Sequence, residues 1–287
     1  MTGTQQDRAR LREGSRIRLD RMKGALRATG GALVAFSGGV DSTLVLAVAH
    51  EVLGDRAVAM TAHSPSVPQA EREEARALAA RIGVRHLEVE SREGYDPRYR
   101  ENTTERCYFC KVELYRLCAS TAARLGLGAV VDGFNADDRR DHRPGHRAAG
   151  EQQVLSPLAE AGLTKDEVRA WSEHYGLPTW DKPQMACLAS RIPYGTPVTP
   201  ERLARIEAAE AGVRAAGLRQ FRVRDHGVVG RIEVAAEEME LAFARREALA
   251  EAVRKAGFAL AALDLEPFRS GRMNEVAGIA RPAVDSV

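Results

Sequence analysis

The stretch Leu33-Val34-Ala35-Phe36-Ser37-Gly38-Gly39-Val40-Asp41-Ser42-Thr43-Leu44 decides the fold. An apolar run ends in a Ser-Gly-Gly turn, and a second apolar run, Leu44 to Ala49, begins directly after it. That order predicts a buried strand, a glycine-rich turn at its carboxyl end, and a helix. Two adjacent glycines let the backbone approach an anion closely, and the hydroxyls of Ser37, Ser42 and Thr43 add donors. The helix beginning near Ser42 adds unpaired N–H groups and the positive end of its dipole. Strand, turn and helix together read as a phosphate cradle, although the lysine of a Walker A loop is missing.

Outward from this turn, strands and helices alternate. Strands are expected over 32–36, 57–62, 85–90 and 129–132, and helices over 42–53, 69–82, 111–125 and 165–175. The last helix opens on the capping box Thr164-Lys165-Asp166-Glu167. Alternation of this kind implies an α/β fold with a parallel sheet covered on both faces. Ligands of such sheets bind at the carboxyl ends of the strands, where Ser37, Thr61 to Ser64 and Gly133 to Asp138 fall. A short helix over 17–27 precedes the sheet, and residues 1–16 read as a flexible, polar start. The charged segment 139–153 reads as a mobile loop. It holds His142 and His146, but Pro144 and Gly145 between them argue against the helix a metal-binding pair would need. After a proline-rich connection (Pro193, Pro197, Pro200) the order becomes α-β-β-α-β, with the second helix spanning 237–255. The expected organisation is a nucleotide-binding domain over 17–192, a small α+β domain over 193–276 and a flexible tail over 277–287.

Composition narrows the class. The chain has 287 residues, 44% of them hydrophobic, enough for a sizeable core. A net charge of +2 gives no electrostatic reason to expect a nucleic-acid partner. No apolar run approaches a membrane span and the opening is not signal-like, so the expected compartment is the cytoplasm. Four cysteines are too few for a disulfide scaffold and point instead to metal, cluster or sulfur chemistry.

Cys107-Tyr108-Phe109-Cys110, read as preceding a helix, has the spacing for two thiolates to grip one zinc ion or iron–sulfur cluster. Cys118 lies eight residues further along a helix, roughly 12 Å from Cys110, and reads as a buried apolar cysteine. The better third partner is Cys187, in the loop Met185-Ala186-Cys187-Leu188-Ala189-Ser190-Arg191. Three thiolates can hold a [4Fe-4S] cube and leave its fourth iron open.

The turn, in the pattern SGGxDS, resembles the PP-loop of ATP pyrophosphatases, which split ATP between the α and β phosphates. Further segments carry a narrower resemblance: Arg106 to Lys111, Ala186 to Gly195, Phe221 to Arg224, Arg231 to Val234 and Asp264 to Gly271. With SGGVDS they look like the LarE family, ATP-dependent sulfur transferases of nickel-pincer nucleotide cofactor assembly. The resemblance covers roughly residues 32–275. It implies adenylylation of a carboxylate of pyridinium-3,5-biscarboxylic acid mononucleotide, loss of pyrophosphate, and replacement of the activated oxygen by sulfur. The family has two sulfur sources: a cysteine matching Cys187 that is sacrificed, or a [4Fe-4S] cluster on three cysteines carrying an extra sulfide. Cys107, Cys110 and Cys187 together favour the cluster.

Within that reading, Ser37, Gly38, Gly39, Asp41, Ser42, Thr61, Ser64, Gly133 and Lys165 are expected to bind ATP, with Asp41 or Asp137 holding Mg²⁺. Arg222 and Arg224 share one side of a strand and form a paired guanidinium face for the substrate phosphate. Arg191, Arg269 and Glu233 are further substrate candidates, and Glu210 and Glu233 match positions tied in the family to metal or substrate. A homo-oligomer and hand-over to other cofactor-assembly proteins are also implied. Other readings share the same loop: a tRNA thiolase, an amide-forming relative such as NAD synthetase, and a cluster-containing ATP-binding sensor without turnover.

Overall fold

The computed structural model describes residues 4–140, 144–184, 186–269, 271–276 and 278. The chain enters through helix α1 (Gln5–Ala28), closed at its start by a capping box between Thr4 and Asp7. The polar opening expected to be flexible is therefore helical from Gln5 onward. Its polarity conceals a one-sided pattern, in which Ser15, Leu19, Met22 and Leu26 are buried while Arg8 reaches Glu173 at 2.7 Å.

Strands β1 (Ala32–Ala35), β2 (Ala57–His63), β3 (Arg85–Glu90) and β4 (Ala129–Val131) form a parallel sheet in the order β3-β2-β1-β4. Side chains alternate between its faces. Ala32 and Val34 pack with Ala57 and Ala59 against α1, α2 (Val40–Leu53) and residues 158–177, whereas Leu33 packs with Val58, Met60, Tyr115, Cys118 and Val130 on the other face. With apolar side chains on both faces the strands read as continuous hydrophobic runs, which is why the sequence pattern marked them. Helices α3 (Gln69–Ile82), α4 (Pro97–Arg100), α5 (Arg106–Arg124), α6 (Pro144–Glu151), α7 (Pro157–Ala161) and α8 (Lys165–His174) complete this part.

Two local expectations change here. The segment read as a mobile loop contains α6, because a proline is compatible with the first turn of a helix, where its missing N–H is not needed. His142 lies outside the described residues, and His146 stacks on Phe134 at 4.0 Å. The Cys107–Cys110 segment does not precede its helix but lies in the first turns of α5.

The second part comprises α9 (Pro200–Ala215), β5 (Phe221–His226), β6 (Val229–Val234), α10 (Met239–Ala244), α11 (Arg246–Lys255), β7 (Leu260–Leu263) and α12 (Arg272–Val276). Its sheet runs β5-β6-β7, with β5 antiparallel and β7 parallel to β6. The long helix expected over 237–255 is broken at Arg245, whose φ of −98° and ψ of 13° leave the helical range. Tyr99, Leu188, Ala189 and Ile192 lie before the expected boundary at 192/193 yet pack into this second core with Leu203, Ile206, Phe221 and Ile232. The expected flexible tail, apart from Gly278, lies outside the described residues. Among the described residues no helix is long and apolar enough to cross a membrane.

Candidate functional site

The SGGVDS turn is shaped by its own short-range bonds. Gly38 has φ +70°, in the left-handed region, and a Cβ there would meet Ala75 of α3 at 3.2 Å. Gly39 caps α2 without any side-chain hydrogen bond, so no capping side chain occupies the first N–H groups of that helix. The Ser37 and Ser42 hydroxyls lie 3.1 Å apart, and the Ser42 Oγ donates to the Gly39 carbonyl at 3.2 Å. Thr43 is fully buried and donates to the same carbonyl at 2.8 Å, so its hydroxyl braces the turn instead of facing an anion.

Asp41, Asn135, Asp137 and Lys165 form one network beside the turn. Lys165 Nζ donates to Asp41 at 2.5 Å, Asn135 Nδ2 donates to the other Asp41 oxygen at 3.1 Å, and the Lys165 backbone N–H donates to Asp137 at 2.7 Å. Gly133 brings β4 against α2 so tightly that a Cβ would sit 2.7 Å from the Ser42 nitrogen. Thr61 and Ser64 turn inward. The Thr61 hydroxyl donates to the Phe36 carbonyl at 2.8 Å and lies 2.8 Å from His86 Nε2; with that hydroxyl proton engaged, the imidazole must be the donor. Ser64, Ser66 and Ser91 all donate to the buried Glu93 carboxylate. Lys182, from a distant segment, brings a second cation to the turn, 3.4 Å from the Gly38 carbonyl and paired with Glu71 and Glu74.

The three cysteines converge. Cys107 and Cys110 are three residues apart on α5 and so share a helix face, at an end that favours negative charge. Burial pushes the Cys110 thiol up, with Glu93, Cys187 and Cys107 adding to the effect in that order. Cys110 and Cys187 both pack on the second core, while Cys107 is exposed. Cys118 is fully buried on the other core, its thiol pushed up to about 12 by burial. Thiols suit zinc or an iron–sulfur cluster, and three such neighbours fit that donor chemistry. They are not closed round a common centre: among the described residues no group of three His, Cys, Asp or Glu side chains is arranged to hold a metal ion.

Four arginines hold the path of the Cys187 loop through its carbonyls. Arg222 donates to Gln184 at 2.7 Å, Arg191 to Ala186 at 2.6 Å and Cys187 at 3.1 Å, Arg106 to Ala189 at 2.8 Å, and Arg224 to Ser190 at 2.9 Å. The loop also donates from Leu188 N–H to the Ser66 carbonyl at 2.9 Å, which ties it to the end of β2. Arg191 is fully buried and makes a two-pronged pair with Glu210, whose carboxylate also accepts from Val223 N–H. Its donors face the loop and Glu210, not a nucleotide. Glu233 is fully buried between Arg224 and Arg231. Arg222 and Arg224 lie together on the loop side of β5, and both guanidiniums are buried and bonded to protein. Burial, followed by neighbouring Arg191, holds Arg222 down to about 10, and its guanidinium lies over Phe268. Arg269 is exposed and paired with Glu275.

Known proteins resemble this chain over much of its length. Residues 20–101 match the asparagine synthase family, and that match supports the use of ATP. The pyridinium-3,5-bisthiocarboxylic acid mononucleotide synthase of Lactiplantibacillus plantarum is 37% identical over 243 residues, covering 84% of this chain and 88% of that protein. The chain belongs to the LarE family. An uncharacterized protein of Synechocystis sp. is 47% identical over 85% of this chain and 92% of its own length. A tRNA-specific 2-thiouridylase of Azorhizobium caulinodans is 30% identical over 63% of this chain and 55% of its own.

Sequence reasoning missed Glu93, Tyr99 and Lys182, and it named Asn135 and Arg106 without their contacts to Asp41 and to the Cys187 loop. None of the three missed residues belongs to a short motif. Only Asn102 and Arg106, four apart, carry a local signal, and the remaining contacts join segments tens of residues distant.

Proposed function

We propose that this protein is an ATP-dependent sulfur transferase that converts a carboxylate of pyridinium-3,5-biscarboxylic acid mononucleotide into a thiocarboxylate. The observation that carries the reading is the tie between two chemistries: the loop bearing Cys187 hangs from the nucleotide edge through the Leu188 to Ser66 bond. A carboxylate oxygen attacks the α-phosphorus of ATP, and pyrophosphate leaves with the electrons of the bond that breaks. A sulfur anion then adds to the acyl carbon, and AMP departs with the original oxygen. The uncapped start of α2 receives phosphate, and Lys165 offsets charge on the leaving pyrophosphate. Asp41 and Asp137 are the residues that would hold Mg²⁺ there. Arg191, with Glu210, serves the loop and not the phosphates.

Cys107, Cys110 and Cys187 are the residues that would hold a [4Fe-4S] cluster, whose open iron would supply a renewable sulfide. The open arrangement of the thiols gives weight to a second reading, in which Cys187 donates its own sulfur and becomes dehydroalanine. One experiment tests the function: protein reconstituted without oxygen is incubated with ATP, Mg²⁺ and the dicarboxylate mononucleotide. Pyrophosphate and a thiocarboxylate are expected together, and absence of both overturns the reading. The mass of the protein afterwards separates the sources, since loss of H₂S at Cys187 marks sacrifice. Iron and sulfide analysis, against Cys107→Ala, marks a cluster.

A further inference from the structure

Where β2 and β3 end, a carboxylate is held by hydroxyls. Glu93, in the single turn Glu93–Tyr95, is 4% exposed. Its described partners are the hydroxyls of Ser64 and Ser66 on one oxygen and of Ser91 on the other, with no lysine or arginine among them. A carboxylate taken out of water without a cation costs stability that a methionine of similar length would not, so packing alone does not account for it. Its use lies in what a carboxylate offers a set of hydroxyls: two acceptor oxygens and no donor to place.

The serines come from two strand ends. Ser64 and Ser66 follow β2, their hydroxyls 2.8 Å apart, and the Ser66 N–H donates to Ser64 Oγ at 3.2 Å. Ser91 follows β3, and its N–H donates to the His63 carbonyl at 2.8 Å. The carboxylate closes this ring of bonds and fixes residues 64–66 as a unit. From that unit the path to the sulfur-bearing loop is short: Ser66 Oγ lies 3.1 Å from Glu93, and the Ser66 carbonyl accepts from Leu188 N–H, next to Cys187, at 2.9 Å. Arg191, Arg222 and Arg224 fix the loop to the second core, whereas this path fixes it to the first sheet.

We propose that Glu93 is a positioning residue for sulfur transfer: through Ser64 and Ser66 it sets the carbonyl from which the Cys187 loop hangs. It touches no reacting atom. Its effect is on the distance between the activated carboxyl and the sulfur, which must be short when the acyl-adenylate forms. This role rests on the sulfur-transfer reading above.

Glu93→Met removes both oxygens at similar length, and Glu93→Gln keeps one for Ser64 and Ser66. Hydrogen exchange of the Leu188 amide, read by mass spectrometry with fragmentation to single residues, should speed about tenfold in Glu93→Met, the scale of one hydrogen bond to a charged group. Glu93→Gln should return most of the way. With ATP, Mg²⁺ and the dicarboxylate mononucleotide, thiocarboxylate formed per pyrophosphate should fall by a similar factor in Glu93→Met and recover in Glu93→Gln. A folding defect alone would lower both products together and leave their ratio unmoved. Ser66→Ala severs the same path without touching a charge, so it should match Glu93→Met and replaces it if that variant does not fold. Leu188 exchange at the wild-type rate, or an unmoved ratio, overturns the proposal. If the wild-type protein releases no pyrophosphate, the functional reading fails, while Leu188 exchange still judges the hold of Glu93 on the loop.

Discussion

The turn of residues 37–43 and the loop of residues 186–191, with Gln184 before it, face a common task and meet it differently. The first holds itself: hydroxyls of Ser42 and Thr43 bond to the Gly39 carbonyl only a few residues back. The second is held by others, through guanidiniums that arrive from α5, from two positions of β5 and from its own last residue. A self-bonded turn can form as soon as its strand and helix exist. A loop fixed by remote arginines takes its path only once the second core has assembled, because those arginines are buried there with Glu210 and Glu233.

Breaking the remote support should have the largest effect. Arg191→Met leaves the Glu210 carboxylate buried without its partner, and the expected loss is about 3–5 kcal/mol in urea unfolding. The double variant with Glu210→Met should recover most of it. A single-variant loss under about 1 kcal/mol, the scale of a solvated pair, would erase the distinction between the two loops. Next comes the self-bonded turn. Gly133→Ala drives a methyl into the first turn of α2, and pyrophosphate release should drop on the order of a hundredfold, with the exchange rate of the Leu188 amide unchanged. Equal damage to both readouts would mean that the two sites are one mechanical unit.

The smallest effect is a matter of pH. Burial holds His86 below its ordinary value of 6.5, so the unfolded chain binds the proton more readily than the folded one. Its contribution is complete above 6.5 and is lost as the pH falls below it. The thermal midpoint of the wild-type protein should therefore fall more steeply on acidification than that of His86→Gln. Identical slopes would remove His86 as a support of Thr61 and the turn.

The same contrast explains what the sequence made legible. The four strands, the turn and the capping box at Thr164 follow from neighbours in the chain, and their apolar runs and glycines stand in plain order. Helix α1 was partly hidden, since a surface helix needs only one buried residue in three or four and Gln5 to Arg12 supplies mostly charge. The thiols were found by spacing, but the surroundings that give them chemistry were not. Arg222 and Arg224 read as a face for a ligand because strand alternation says where side chains point, not what they meet.

The clamp on the Cys187 loop grips main-chain oxygen, an atom every residue owns. Side chains at 184, 186 and 189 can therefore drift without altering the course of the backbone, and the instructions for that course are written in residues 106, 191, 222 and 224. A designer who wished to move the sulfur would edit the arginines and leave the loop alone.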